Sequence, residues 1–206
     1  MRLGAVVPAA GLSRRMGREK VLLPFGRSTM LETVLSKLRA AGVERVVVVV
    51  RPDLLEAAAR ARDAGADVAE NLHPEGEMIE SIRLGIAALP ADLDAFFVWP
   101  ADHPAVLEST LERLTDRAAR GKAVLPVFGG RRGHPALVGA DLRDSIGRIP
   151  ARDGLRRLWR DRADAVEELP VDDPGVLENL DDPESYERAR LREAAGRLSG
   201  GTGEPA

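Results

Sequence analysis

Three groups of residues in this chain have the types and spacing to handle anions and a hard cation. The first is the loop Ala9-Ala10-Gly11-Leu12-Ser13-Arg14-Arg15-Met16-Gly17-Arg18-Glu19-Lys20. Small residues let backbone N–H groups approach an anion closely, and Arg and Lys add charge-assisted hydrogen bonds to phosphate oxygens. The second is Pro100-Ala101-Asp102-His103-Pro104, where a carboxylate fixed between two prolines offers the oxygen ligand that Mg²⁺ needs. A turn or helix-capping Asp fits the same position equally well. The third is the turn Gly129 to Pro135, in which Arg131, Arg132 and His134 could meet a second anionic substrate or simply form a solvated basic turn. No Gly-Lys-Ser/Thr follows the glycines of the first loop, and no Gly-x-Gly-x-x-Gly is present. The common mononucleotide loop and the dinucleotide fingerprint are thereby excluded.

The elements that must position these groups can be read from periodicity. Leu3, Ala5, Val6 and Val7 form a buried strand that stops at Pro8. Thr29-x-x-Glu32 has capping-box spacing, and Met30 to Ala41 is an amphipathic helix ended by Gly42. Arg45 to Val50 is a strand apolar on both sides, as interior parallel strands are. Helices are predicted from Pro52 to about Asp63, Glu77 to Leu89 and Glu108 to Ala119. Strands are predicted over Ala66 to Glu70, Asp94 to Trp99, Lys122 to Phe128 and Val166 to Val171. This alternation predicts an α/β fold with one doubly wound, mostly parallel sheet flanked by helices. The apolar runs around Gly129-Gly130-Arg131-Arg132 predict a small β-hairpin insertion in it. In such sheets ligands bind beyond the carboxyl ends of the strands, where both the first loop and Asp102 arrive.

At 206 residues and 44 % hydrophobic content, one domain over 1–195 is expected, with a disordered tail over 196–206. A net charge of −3 argues against a sequence-independent nucleic-acid binder. The absence of cysteine excludes disulfides and cysteine metal sites. No apolar run is long enough for a bilayer and no signal peptide is visible, so a cytoplasmic protein without membrane partners is expected.

The ordered set Ala9, Ala10, Gly11, Ser13, Arg15, Met16, Gly17 and Lys20, followed by Leu22-Leu23-Pro24-Phe25-Gly26, resembles the signature A-A-G-x-S-x-R-M-G-x-x-K of the MobA-like nucleotidyltransferases. Within that superfamily, Asp102-His103-Pro104 and Gly133-His134-Pro135 are most similar to the molybdenum-cofactor cytidylyltransferase branch. Pro150 to Leu158 is a looser likeness, and Glu77 departs from the family's Gly-Met segment. The resemblance implies a nucleotide-diphospho-sugar transferase-like Rossmann variant that moves a nucleoside monophosphate onto a phosphorylated acceptor and releases pyrophosphate. It implies a nucleotide site of Ala9, Ala10, Gly11, Ser13, Arg15, Lys20 and Ser81. Catalytic roles fall to Arg15 on the leaving phosphates, Lys20 on the α-phosphate and Asp102, with Mg²⁺ held by Asp102 together with Asn179 or Asp181. Arg132 and His134 would face the acceptor. Ala9-Ala10-Gly11 is similar to the cytidine- and uridine-using relatives, which favours CTP. The implied acceptor is a molybdopterin-type cofactor, with a molybdoenzyme maturation partner. A sugar phosphate or an isoprenoid-precursor phosphate is the alternative acceptor, and a non-catalytic nucleotide-binding accessory protein is the alternative class.

Overall fold

The valine-rich runs form the centre of the molecule. In chain order the strands are β1 (Leu3–Pro8), β2 (Pro24–Phe25), β3 (Ser28–Thr29), β4 (Arg45–Val50), β5 (Asp67–Glu70), β6 (Ala95–Val98), β7 (Ala123–Phe128), β8 (Arg131–Arg132), β9 (Ala136–Gly139) and β10 (Val166–Pro170). The helices are α1 (Met30–Ala40), α2 (Leu55–Asp63), α3 (Met78–Ala88), α4 (Glu108–Thr115), α5 (Arg143–Gly147), α6 (Arg156–Asp161) and α7 (Pro183–Gly200). The computed structural model describes residues 1–12 and 19–195, and the backbone of α7 to Gly200. Ser13, Arg15, Met16 and Gly17 of the first loop, and 201–206 of the expected tail, lie outside the described residues. The helix α7 itself continues into the segment that was expected to be tail.

The principal sheet has the order β10-β7-β9-β6-β1-β4-β5, with β8 pairing β7 off this path. β1 pairs in parallel with β4 and β6, β4 with β5, and β7 with β10, whereas β9 runs antiparallel to both β6 and β7. The sheet is therefore mixed but mostly parallel, with helices on both faces. The predicted hairpin is not set apart as an insertion. β7 and β9 pair inside the main sheet, Ala123 opposite Val138, and β8 adds a short turn-side ladder. The reason is apolar content on both faces: Val124 and Leu137 enter one core, Leu125 and Val138 the other.

Alternation along the strands divides the core. Val7, Val48, Val50 and Phe97 face a layer containing Leu31 of α1, Ala57 of α2 and Leu111 of α4. Val6, Val47, Val49 and Phe96 face Ile79 and Ile82 of α3 and Ile146 of α5. α3 lies so close to the sheet that a Cβ at Gly85 would come within 2.3 Å of Val6, so only glycine fits there. The capping box forms: Thr29 Oγ1 accepts from Glu32 N at 3.2 Å and Glu32 Oε2 accepts from Thr29 N at 2.8 Å. α2 starts at Leu55, not Pro52, because Arg51 to Leu54 closes a turn in which Leu54 N donates to Arg51 O at 3.1 Å. A third cluster seats α7 on the β2–β3 hairpin through Leu23, Phe25, Met30, Leu180, Tyr186 and Ala189. The Tyr186 hydroxyl donates to Pro24 O at 2.6 Å. Among the described residues no helix is long and apolar enough to cross a membrane.

Candidate active site

The carboxyl ends of β1, β5 and β6 release the segments that build the site. Backbone bonds continue past the strand ends and fasten these segments together. Ala9 N donates to Val49 O at 2.8 Å, and Ala101 N donates to Pro8 O at 3.1 Å. Lys37 of α1 reaches over and donates to Pro104 O at 2.8 Å and Val106 O at 2.7 Å, while Trp99 Nε1 donates to His103 O at 3.1 Å. Asp102 is thus held on a fixed backbone. Leu180 N donates to Asp102 O at 3.0 Å, which brings the C-terminal segment to the same place.

At this junction the Lys20 ammonium joins two carboxylates, Asp102 Oδ2 at 2.6 Å and Asp181 Oδ1. Burial disfavours the charged form of Lys20, but Asp102 and Asp181 outweigh it and raise the pKa above the ordinary lysine value. Burial likewise opposes ionisation of Asp102, yet the Lys20 charge holds its carboxyl below the usual carboxylate range. The second oxygen, Asp102 Oδ1, is buried and has no hydrogen-bond partner among the described residues. A buried carboxylate oxygen without a donor suits a divalent cation, which takes hard oxygen ligands and completes its sphere from phosphate and water. Among the described residues no three His, Cys, Asp or Glu side chains cluster as a complete metal site. Asp102 and Asp181 are the pair that could hold such an ion, with further ligands supplied by a bound triphosphate.

Two cavities meet here. The smaller, about 210 Å³, is lined by Ala9, Ala10, Gly11, Lys20, Asn71, Ser81 and Asp102 among others. Among the described residues, a Cβ placed on Gly11 would meet nothing within 4 Å. Ser81 is buried in α3 and accepts from Asn71 Nδ2 at 2.9 Å, while Asn71 Oδ1 accepts from His73 N at 2.9 Å. The larger cavity, about 890 Å³, shares Met78 and Pro100 with the smaller and extends over Ile79, Leu125 and Trp159. Arg152, Arg156 and Arg160 also line it, as does His134. Gly133 is required beside it, since a Cβ would sit 2.4 Å from Val176 O. The half-buried His134 ring lies 4.7 Å from the buried ring of His103. Burial, reinforced by His103, pushes the His134 imidazole down to about 4, and burial also lowers His103 despite the pull of Asp102.

The structure therefore brings Ala9, Ala10, Gly11, Lys20, Ser81 and Asp102 to one cavity and joins Asp181 to them through Lys20. Asn179 is exposed and makes no hydrogen bond to this group. Arg132 and His134 line the other cavity, with Arg132 half-exposed and paired to Glu168 at 2.7 Å. Ser13 and Arg15 lie outside the described residues. Sequence reasoning gave no site role to Asn71, Arg51, Trp159 or the arginines beside Trp159. Asn71 orients Ser81, and only its position in the loop after β5 hinted at this. Trp159 and the arginines beside it depend on the path of the chain after α5, which the loose likeness over Pro150 to Leu158 does not specify. Arg51 caps an apolar strand at the ligand-bearing edge of the sheet, a placement that could have drawn attention.

Residues 5–166 match the family described as MobA-like NTP transferase domain. The chain is 31 % identical over 205 residues to the 2-C-methyl-D-erythritol 4-phosphate cytidylyltransferase of Frankia casuarinae, covering 88 % of this chain and 71 % of that protein. It is 36 % identical over 110 residues to the molybdenum cofactor guanylyltransferase of Xanthomonas euvesicatoria, covering 53 % of this chain and 51 % of the relative. A Mycobacterium tuberculosis protein solved as a complex with manganese has the same fold, with a TM-score of 0.73 at 24 % identity over 93 % of this chain and 98 % of that one. The superfamily resemblance read from the first loop holds. The cytidylyltransferase branch for molybdenum cofactor is not singled out, because relatives acting on an isoprenoid precursor match over a longer span.

Proposed function

Because the chain belongs to the MobA-like NTP transferase family and is a nucleotidyltransferase, we propose that it transfers CMP from CTP, with Mg²⁺, onto the phosphate of a molybdopterin-type acceptor. The observation that carries this reading is the Lys20 ammonium set between Asp102 and Asp181, at the junction of a small glycine-fronted cavity and a large one. The small cavity is assigned to the nucleotide, with the backbone of Ala9 to Gly11 facing the triphosphate and the Asn71–Ser81 pair at its far wall. Ser13 and Arg15 belong to this assignment through the sequence motif.

The acceptor phosphate oxygen attacks the α-phosphorus, the bond from that phosphorus to the β-bridging oxygen breaks, and pyrophosphate leaves. Both reactants are anions, so charge neutralisation and in-line placement supply most of the acceleration. Asp102 and Asp181 would hold Mg²⁺, which when bound neutralises phosphate charge. Lys20 supplies a positive charge to the α-phosphate, and its raised pKa keeps it protonated through the neutral range. The acceptor phosphate is already ionised, so no general base is required. The size of the larger cavity, with Trp159 in its wall and Arg152, Arg156 and Arg160 lining it, favours a planar phosphorylated acceptor. An isoprenoid-precursor phosphate is the second reading, supported by the 31 % identical relative.

The test is pyrophosphate release with Mg²⁺ and each of CTP, GTP, UTP and ATP, using molybdopterin and methylerythritol phosphate as acceptors. Release with CTP and molybdopterin, reduced at least about 10³-fold in Asp102→Ala, is the expected result. Release with methylerythritol phosphate instead would move the assignment to the second reading. Unchanged release in Asp102→Ala would remove Asp102 from the metal site, and triphosphate binding without release for any acceptor would point to an accessory protein.

A further inference from the structure

Arg51 has no part in the roles assigned above, yet among the described residues no other arginine is buried. It follows the last residue of β4, the strand beside β1, at the sheet edge where the small cavity opens. Its guanidinium forks in three directions: Nη1 donates to Gly11 O at 2.9 Å, Nη2 pairs with Glu19, and Nε donates to Asp53 Oδ2 at 3.0 Å. Gly11 lines the small cavity, and Glu19 immediately precedes Lys20, which lines it too. One side chain thus fixes both sides of the cavity from behind.

We propose that Arg51 is a positioning residue for the nucleotide, setting the spacing between the Gly11 backbone and Lys20 that the triphosphate requires. This rests on the assignment of the small cavity to the nucleotide. Two physical points support it. Among the described residues Glu19 Oε2 is buried without a hydrogen-bond partner, and the Arg51 ion pair supplies the counter-charge that keeps this carboxylate from opposing an incoming triphosphate. A planar guanidinium can also hold a carbonyl and two carboxylates at fixed directions, which a lysine ammonium on a flexible stem cannot do.

The test measures the affinity of non-hydrolysable triphosphate analogues with Mg²⁺ by calorimetry for the unaltered protein, Arg51→Met and Arg51→Lys, alongside KM for each substrate and thermal midpoints. Both variants are expected to bind the analogue about 10- to 100-fold more weakly and to raise KM for the triphosphate in parallel. KM for the acceptor stays within about threefold. Should Arg51→Met fail to fold, Arg51→Lys, which keeps the charge, carries the measurement. A lowered thermal midpoint with unchanged analogue affinity would reduce Arg51 to scaffolding and overturn the inference, as would equal shifts in KM for both substrates. If the unaltered protein binds no triphosphate, the nucleotide assignment fails and the inference with it; if it binds and the variants match it, the inference fails alone.

Discussion

The two cavities are built in contrasting ways. The smaller is assembled from the ends of the parallel strands β1, β5 and β6, and its polar lining is tightly tied: Ser81 to Asn71, Lys20 to Asp102 and Asp181, Gly11 to Arg51. The larger is walled partly by the antiparallel β9 and by the short helix α6, and four arginines line it, of which Arg132 has a carboxylate partner on β10. A preorganised small cavity suits the part of a reaction that does not vary, the handling of a triphosphate. A roomy, cation-lined one suits the part that differs between relatives, the acceptor. On the proposed reading, chemistry and acceptor choice fall to two cavities that share Met78 and Pro100.

That division can be attacked from both sides. Lys20→Met removes the cation between Asp102 and Asp181, and is expected to lower turnover by about 10²–10³ with every acceptor tried. It should also cost about 3–5 kcal/mol in urea unfolding, because both carboxylates lose the same buried partner. A loss confined to one acceptor would erase the distinction between the cavities.

The lining of the larger cavity offers a second measure. His134 has its folded pKa depressed to about 4, against an ordinary value near 6.5. The unfolded chain therefore takes up this proton first as pH falls, and stability present above about pH 6.5 declines toward pH 4 by about 3 kcal/mol. Urea midpoints at pH 7 and pH 4.5 should show this fall, and His134→Gln should remove most of it. An unaltered fall in the variant would mean that another group carries the dependence.

The smallest effect is the sharpest test of the acceptor side. Trp159→Ala is expected to raise KM for a planar acceptor about tenfold while leaving KM for the triphosphate alone. No change with any acceptor would take Trp159 out of the binding wall.

How much of this could be read beforehand follows from where the information lies. β1, β4 and β6 were legible because each is a short continuous apolar run, and α1 because Thr29 and Glu32 mark its start. Asp102 was legible as a fixed residue beyond a buried strand. The meeting of Lys20 with Asp181 was not legible from periodicity, since it depends on how α7 seats on the β2–β3 hairpin across a long stretch of chain. The placement of β9 between β6 and β7 was missed for a similar reason: a hairpin pattern states that two strands pair, not which third strand lies on the other side. Arg51 was hidden because an arginine after a strand reads as surface until its three partners are known.

The late arrival of Asp181 has a consequence for how the protein is made. Residues 3 to 170 contain every strand of the main sheet, so a growing chain can settle that sheet before its last segment is available. Until Leu180, Asp181 and Tyr186 follow, the Asp102 carbonyl lacks the Leu180 N–H, Lys20 has only the first of its two carboxylates, and the β2–β3 hairpin lacks its cover. The junction of Lys20, Asp102 and Asp181 is thus completed only after every strand of the main sheet has been made. A chain clipped before Leu180 keeps every strand of that sheet but lacks Asp181 and the cover of α7.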